Sequence, residues 1–286
     1  MMKRVAGVVV LYNPLDFVVD NLLTYSTQLE KIFAIDNSEE NVNQLVLQKI
    51  GSISNIEVIQ NTDNYGIAYA LNTGARKAIN EGFHYLLTMD QDGSASPAMV
   101  NALYSIISTS KNIGIVTAEH FNPTMHSELD KIITKEVLYT MTSGNLINLS
   151  AYQTVGGFLN ELFIDHVDHE YCLRLNKNGY KVFKTNVVLV YHQLGKAEKK
   201  KFLGFNLYPT HHPPIRLYYR TRNRCYVNNL YKKDFPEYVK EDRKHFIREV
   251  IDMVFCEKDL YKKYKMIIRG YLDYRKKKLG KFENAR

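Results

Sequence analysis

The feature that most constrains this chain is a rhythm of apolar runs and polar stops over its first ninety residues. Arg4–Tyr12 is rich in β-branched residues and closes at Asn13-Pro14, and Lys31–Ile35 closes at Asp36-Asn37-Ser38. Ile56–Ile59 leads into Asn61-Thr62-Asp63-Asn64-Tyr65-Gly66, and Phe83–Met89 ends in Asp90-Gln91-Asp92-Gly93. Between these runs Phe17, Val18, Leu22, Leu23 and Leu29 keep helical spacing, a second helical stretch reaches Ile50, and a third with small residues spans Ile67–Asn80. Strands alternating with helices predict a parallel, doubly wound α/β sheet. Ligands of such sheets bind beyond the carboxyl ends of the strands, the edge on which Asp36 and Asp90 fall.

The rest of the chain extends the pattern and then departs from it. Pro97–Ser108 reads as a helix, Ile113–Ala118 as a strand, and Tyr180–Tyr191 as a strand running into His192-Gln193-Leu194-Gly195. Residues 119–143 are mixed, with an apolar segment near Ile132–Met141. From Arg216 onward Tyr, Lys and Arg recur at helical spacing without a second sheet, which predicts a domain over 1–215 and a basic, aromatic helical extension over 216–286. That extension holds 21 Lys/Arg against 10 Asp/Glu, net +11, whereas 1–215 holds 17 against 20, net −3. Such asymmetry points to an anionic partner, whether membrane, nucleic acid or phosphorylated substrate, with a membrane surface favoured and a solvated helical surface as the plainer alternative. A third option is packing against a second subunit, which would give a homodimer.

Other function classes recede. Cys172, Cys225 and Cys256 are far apart and odd in number, which argues against a disulfide framework and for a reducing compartment. The opening Met1–Val10 run breaks at Asn13-Pro14 with no small-residue cleavage site, so a first buried strand is expected rather than a signal peptide. No apolar stretch approaches the ~18 residues needed to span a bilayer. The expected location is cytoplasmic, peripheral on the inner face of the membrane. No GxGxxG follows the first strand and no GxxxxGK[ST] occurs, which disfavours dinucleotide dehydrogenases and P-loop NTPases. A basic nucleic-acid-binding module is the distant alternative, given a pI of about 9.1. Against it, the positive charge lies away from the Asp- and Asn-bearing strand ends, and no DNA- or RNA-binding motif appears.

Asp90 and Asp92 carry the sharpest chemical signal. Residues i and i+2 of an extended chain share a side, so both carboxylates can face one ligand. Two clustered carboxylates repel unless a cation lies between them, and Mg2+ or Mn2+ fits, with a diphosphate completing its shell. An isolated Asp-x-Asp is also an ordinary solvated turn. Likewise Asp36 reads as an Asx-turn or cap, and Asn64 with Gly66 as a capped turn in which glycine supplies positive φ. The convergence of three polar strand ends on one edge is what lifts the functional reading.

These elements, in this order, resemble family 2 glycosyltransferases, inverting enzymes of the GT-A fold, and most of all their rhamnosyltransferase-type members, which build bacterial surface polysaccharides. The resemblance covers roughly residues 4–225. It rests on Val8–Pro14, Ile35–Ser38, Asn61–Ala68, Met89-Asp90-Gln91-Asp92, Ser143-Gly144-Asn145, Val155–Phe158, Ile164–Asp168 through Cys172-Leu173-Arg174, and His192–Gly195. Arg216–Asn223 resembles a further motif of the rhamnosyltransferase type. The resemblance implies a Rossmann-like, mostly parallel sheet flanked by helices. It also implies a nucleotide-sugar pocket formed by Asn13, Asp36, Asn64, Gly66, Asp90, Gly144 and Asn145, with Asp36 and Asp90 on the nucleoside. Asp92 would ligate the divalent metal, Mg2+ or Mn2+, with His192 as a further ligand, and Asp168 would be the general base. Many relatives carry Glu-Asp at the base; Val167 takes the Glu position here, and Asp165 is the nearest competitor.

The resemblance also implies a reaction: an acceptor hydroxyl attacks the anomeric carbon in line as the nucleoside diphosphate leaves, with a carboxylate taking the proton. The favoured donor is dTDP-L-rhamnose and the acceptor a lipid-linked or other oligosaccharide. A UDP-sugar donor (galactose, galactofuranose or GlcNAc) is the alternative with the same mechanism. His192 closing a strand also has a plain structural reading. A zinc site at His166-His169-Glu170 is disfavoured, since HExxH spacing and a clear further ligand are lacking. Gly156-Gly157 reads either as a tight turn or as a place where backbone approaches the sugar.

Overall fold

The computed structural model describes residues 4–39, 43–121, 132–192, 200–202 and 205–283. These divide into two compact units, Met1–Asn160 with Val167–Gln193, and Glu161–His166 with Leu194–Arg286.

The first unit is a sheet of nine strands among the described residues. β1 (Val5–Leu11) is buried along nearly its whole length, as a central strand covered on both faces must be. It pairs in parallel with β2 (Lys31–Asp36) on one side and β4 (Tyr85–Asp90) on the other. β3 (Ile56–Gln60) pairs in parallel with β2. The crossovers are α1 (Phe17–Ser26), α2 (Gln44–Gly51) and α3 (Ile67–Asn80). α3 needs small residues on its sheet face: a Cβ on Gly74 would stand 2.3 Å from Val8 Cγ2.

Beyond β4 the sheet turns mixed. β8 (Asn145–Asn148) runs antiparallel between β4 and β6 (Ile113–His120), and β6 is parallel to β9 (Lys181–His192). The short β5 (Gly93–Ala95) and β7 (Thr134–Glu136) each pair antiparallel with β9. The expected parallel sheet is therefore interrupted by β8, beyond which β6 and β9 run in the same direction as β4. α4 (Met99–Ile107), α5 (Leu149–Val155) and α6 (Val167–Lys177) complete the unit. One core cluster runs from Val9 and Leu11 through Leu22, Ile32 and Leu87 to Leu103, Val116 and Val190, all under 2% exposed.

The second unit contains a hairpin, β10 (Lys200–Phe202) and β11 (Phe205–Leu207), and the helices α7 (Pro214–Tyr231), α8 (Pro236–Cys256) and α9 (Leu260–Arg275). None of the helices among the described residues is long and apolar enough to cross a membrane. α9 approaches α7 so closely that a Cβ on Gly270 would lie 2.5 Å from the Tyr218 carbonyl oxygen.

Much of the basic charge of α7 is turned inward. Arg222 is fully buried, donates to the Gly280 carbonyl at 2.7 Å, and lies over the rings of Tyr218 and Tyr219. Arg224 is paired with Asp242 and Glu249. Burial alone would raise the Asp242 carboxyl, but the hydrogen bond from His166 and the Arg224 charge hold it well below the usual range. Asn223 is also fully buried, and its Nδ2 donates to the carbonyls of Leu162, Ile164 and Asp165 at 2.7, 2.7 and 3.0 Å. These bonds fix a backbone with three non-glycine residues at positive φ, Phe163, Asp165 and His166. The Arg216–Asn223 motif thus earns much of its pattern by holding the segment that precedes α6.

Replacing Asn223 with Ala should strand these carbonyls. With each buried orphan costing roughly 1–3 kcal/mol, chemical denaturation should show a loss of about 3 kcal/mol. A loss below about 1 kcal/mol would contradict this role.

Candidate active site

The parallel register sets the site's frame: Leu11 lies opposite Asp36, and Val10 opposite Asp90. The chains leave β1, β2 and β4 together and are tied there by side chains. Gln91 clamps the backbone just after β1, accepting from Tyr12 N at 2.8 Å and donating to Tyr12 O at 3.0 Å. Asn13, at positive φ, donates its N–H to Ser38 Oγ. Ser38 in turn donates to the buried Asp36 carboxylate through Oγ at 2.6 Å and N at 3.2 Å. Asp36 is therefore oriented by the turn that follows it.

Asn37 joins this edge to the 61–66 loop. Its Oδ1 accepts from Asn61 Nδ2 and Tyr65 N, and its Nδ2 donates to Asn64 Oδ1 at 2.9 Å. Asn64 Oδ1 also accepts from Gly66 N at 3.0 Å, and Gly66, at φ +85°, is the residue before α3. Asn64 and Gly66 are thus brought beside Asp36 and Asn37, with the carbonyl of Asn64 committed to the loop.

Asp90 is half-buried at the end of β4, and its N–H donates to Ser143 Oγ. Gly144, at φ +82°, donates to Thr88 O and passes so near β9 that a Cβ would meet Val190 Cγ2 at 2.6 Å. Asn145 is buried opposite Thr88, and its Oδ1 has no hydrogen-bond partner. His120 Nε2 lies 3.0 Å from the Ser143 carbonyl. On the other side Tyr25 is fully buried; burial first, then the charge of Asp90, push its phenol far above its ordinary value, so it stays neutral.

Asp92 occupies the turn between β4 and β5. Its neighbour Gly93 is the register partner of His192, the last residue of β9, so the backbone brings these two positions to one place. The His192 side chain and Gln193-Leu194-Gly195 lie outside the described residues.

The two candidate bases have different surroundings. Asp168 stands half-buried in the first turn of α6, its Oδ1 accepting from His169 N at 2.8 Å. Asp165, by contrast, is held bidentately by Arg216, at 2.6 Å to Nε and 2.9 Å to NH2, with Arg220 at 3.7 Å. Glu170 is spoken for by Arg174, which also donates to the Val155, Gly156 and Gly157 carbonyls. Gly157 has no room for a side chain: a Cβ would lie 2.4 Å from Tyr152 Oη and 2.6 Å from Asn72 Oδ1. Burial pushes the Cys172 thiol up to about 12, leaving it a neutral packing group.

Sequence reasoning missed Gln91, Asn37 and His120. The first two carried a signal, since they interrupt or follow the aspartates they position; nothing around His120 marked it.

A family model described as Glycosyl transferase family 2 matches residues 8–156, just over half of the chain, and the chain belongs to that family. It is a glycosyltransferase. A dTDP-rhamnosyl transferase, RfbF of Shigella flexneri, is 28% identical over 243 residues, covering 78% of this chain and 79% of that protein. The fold resembles GalNAc-T7, solved with UDP, GalNAc and Mn2+, at TM-score 0.63 and 14% identity, over 96% of this chain and 55% of that one. This chain therefore spans about half the length of that neighbour. It also resembles the mannosyltransferase PcManGT of Pyrobaculum calidifontis, solved with GDP-Man and Mn2+, at TM-score 0.61 and 13% identity, over 97% and 88% of the two chains.

Gln91→Ala should unlatch the Asp90–Asp92 turn from the end of β1. Because small misplacements are costly, kcat/KM for sugar transfer should fall roughly tenfold to a hundredfold while Tm moves little. An unchanged kcat/KM would refute the clamp's positioning role.

Proposed function

We propose that the chain is an inverting, metal-dependent glycosyltransferase that moves L-rhamnose from dTDP-L-rhamnose to a hydroxyl of a lipid-linked or other oligosaccharide acceptor. The observation that carries this reading is the single edge on which Asp36 and Asp90 end the two parallel strands that flank β1, while the Asp92–Gly93 turn meets the end of β9. The relative's name, dTDP-rhamnosyl transferase, supports the donor.

In this reading Asp36, Asn13, Asn64, Gly66 and Asp90 receive the nucleoside, and Gly144 and Asn145 line the sugar side. The unpartnered Asn145 Oδ1 is the acceptor that a donor hydroxyl needs. Asp92 and His192 would hold Mn2+ or Mg2+: a carboxylate oxygen and an imidazole nitrogen are the donors such a cation takes. The ion would neutralise charge building on the departing diphosphate. Asp168 takes the proton as the acceptor oxygen bonds to the anomeric carbon, and the anomeric C–O bond to the nucleoside diphosphate breaks with its electron pair leaving on oxygen. Asp165 is less suited, since Arg216 occupies both its oxygens.

A radiolabelled transfer assay separates these roles. Asp168→Asn should lower kcat by ~10² or more with donor KM nearly unchanged. Asp165→Asn should instead cost about 1–2 kcal/mol of stability and keep most of the turnover. The reverse assignment of effects would make Asp165 the base. Among donors, dTDP-rhamnose should be turned over and UDP-galactose, UDP-galactofuranose and UDP-GlcNAc should not; preference for a UDP-sugar would overturn the donor.

A further inference from the structure

The second unit contains a cleft of about 560 Å3 lined by none of the residues placed in sugar transfer. It is enclosed by three helix faces, each contributing residues at i, i+3 and i+4. These are Thr221, Arg224 and Cys225 of α7, continuing to Asn228; Arg243, Phe246 and Ile247 of α8; and Tyr271, Tyr274 and Arg275 of α9. Its size is in the range of small-molecule sites.

Two independent observations say what it accepts. The first is charge. Arg224, Lys232, Arg243 and Arg275 line the cleft, and no acidic side chain does among the described residues. Arg224 is neutralised from behind by Asp242 and Glu249, while Lys232, Arg243 and Arg275 are exposed. The second is unmet hydrogen bonding. Thr221 and Asn228 line the cleft at 3% and 6% exposure, and Thr221 Oγ1 and Asn228 Oδ1 are buried without a hydrogen-bond partner. Asn228 Nδ2 already donates to Asp242 at 2.7 Å, so this side chain has only an acceptor to offer. Buried polar atoms are rarely left unpaired, and both of these belong to residues that line the cleft. A hydroxyl satisfies each: it donates to Asn228 Oδ1 and exchanges a hydrogen bond with Thr221. The rings of Phe246, Tyr271 and Tyr274 give an apolar wall for a carbon skeleton.

We propose that this cleft binds a phosphate ester of a polyol, with the phosphate at the Arg243–Arg275–Lys232 rim and the hydroxyls at Thr221 and Asn228. The ester is either the headgroup of a lipid or a free polyol phosphate. The site lies wholly within the second unit and shares no residue with those placed in the transfer reaction. Rim contacts of this kind are charge-assisted and are weakened by salt.

The test is binding by the full chain, measured calorimetrically with glycerol phosphate and by co-sedimentation with phosphatidylcholine vesicles carrying phosphatidylglycerol. Wild type should bind at least one probe saturably at low salt. The double variant Arg243→Glu/Arg275→Glu and the near-isosteric Thr221→Val should each bind it at least ~10-fold more weakly. Thr221→Val removes a hydroxyl that bonds to nothing in the protein, so its Tm should not fall, and its binding defect is then not one of folding. Binding of glycerol phosphate identifies a soluble ligand, and binding of vesicles alone identifies a lipid headgroup; both support the site. Binding of neither probe, or wild-type affinity in either variant, would overturn it.

Discussion

The first unit depends on the parallel registration of β1 between β2 and β4. A slip of one residue would turn every side chain of a strand to the opposite face, so the buried runs on both faces hold the register firmly. With Leu11 opposite Asp36 and Val10 opposite Asp90, two acidic strand ends must emerge at the same edge, one on each side of β1. The charge of Asp36 is tolerable there because the Ser38 N–H and hydroxyl donate to it, while Ser143 Oγ accepts from the Asp90 N–H and holds that backbone. Asn37 and Gln91 then tie the loops after β1, β3 and β4 to that edge. The site is thus a consequence of sheet register, refined by short-range hydrogen bonds.

The second unit is organised by a different constraint, the burial of cations. Arg222 donates to Asn223 Oδ1 and to the carbonyls of Gly280 and Leu162, and lies over two tyrosine rings. Arg224 has Asp242 and Glu249, and Arg216 has Asp165. Buried charges that lose a partner are costly, so these arginines fix one arrangement of the segment before α6. In the sequence that segment leads directly into Val167 and Asp168.

Much of this was legible in the sequence where periodicity is strong. The helix read over Ile67–Asn80 is α3, and the four early strands fall where their β-branched runs lie. The family resemblance agrees with the family match over residues 8–156. What escaped notice was short or non-local. Gly93–Ala95 reads as a turn, yet becomes β5 because β9 offers it a partner, and Asn145–Asn148 is too brief to declare itself as β8. The Asp165–Arg216 pair joins residues 51 apart, beyond any spacing argument, and so a basic motif that looked surface-bound proves partly internal. Likewise no spacing argument could show that the Arg174 guanidinium takes up the Gly156 and Gly157 carbonyls.

The central claim is that Asp92, in the turn opposite the end of β9, links the diphosphate to the protein through a divalent cation. Calorimetric titration of dTDP into wild type and Asp92→Ala, each with Mn2+ and with excess EDTA, tests it most directly. The account predicts that Mn2+ tightens dTDP binding to wild type at least tenfold, about 1.4 kcal/mol, and does nothing for Asp92→Ala, whose fold and metal-free affinity are retained. Equal Mn2+ enhancement in both proteins, or dTDP binding to wild type that EDTA leaves untouched, would contradict it.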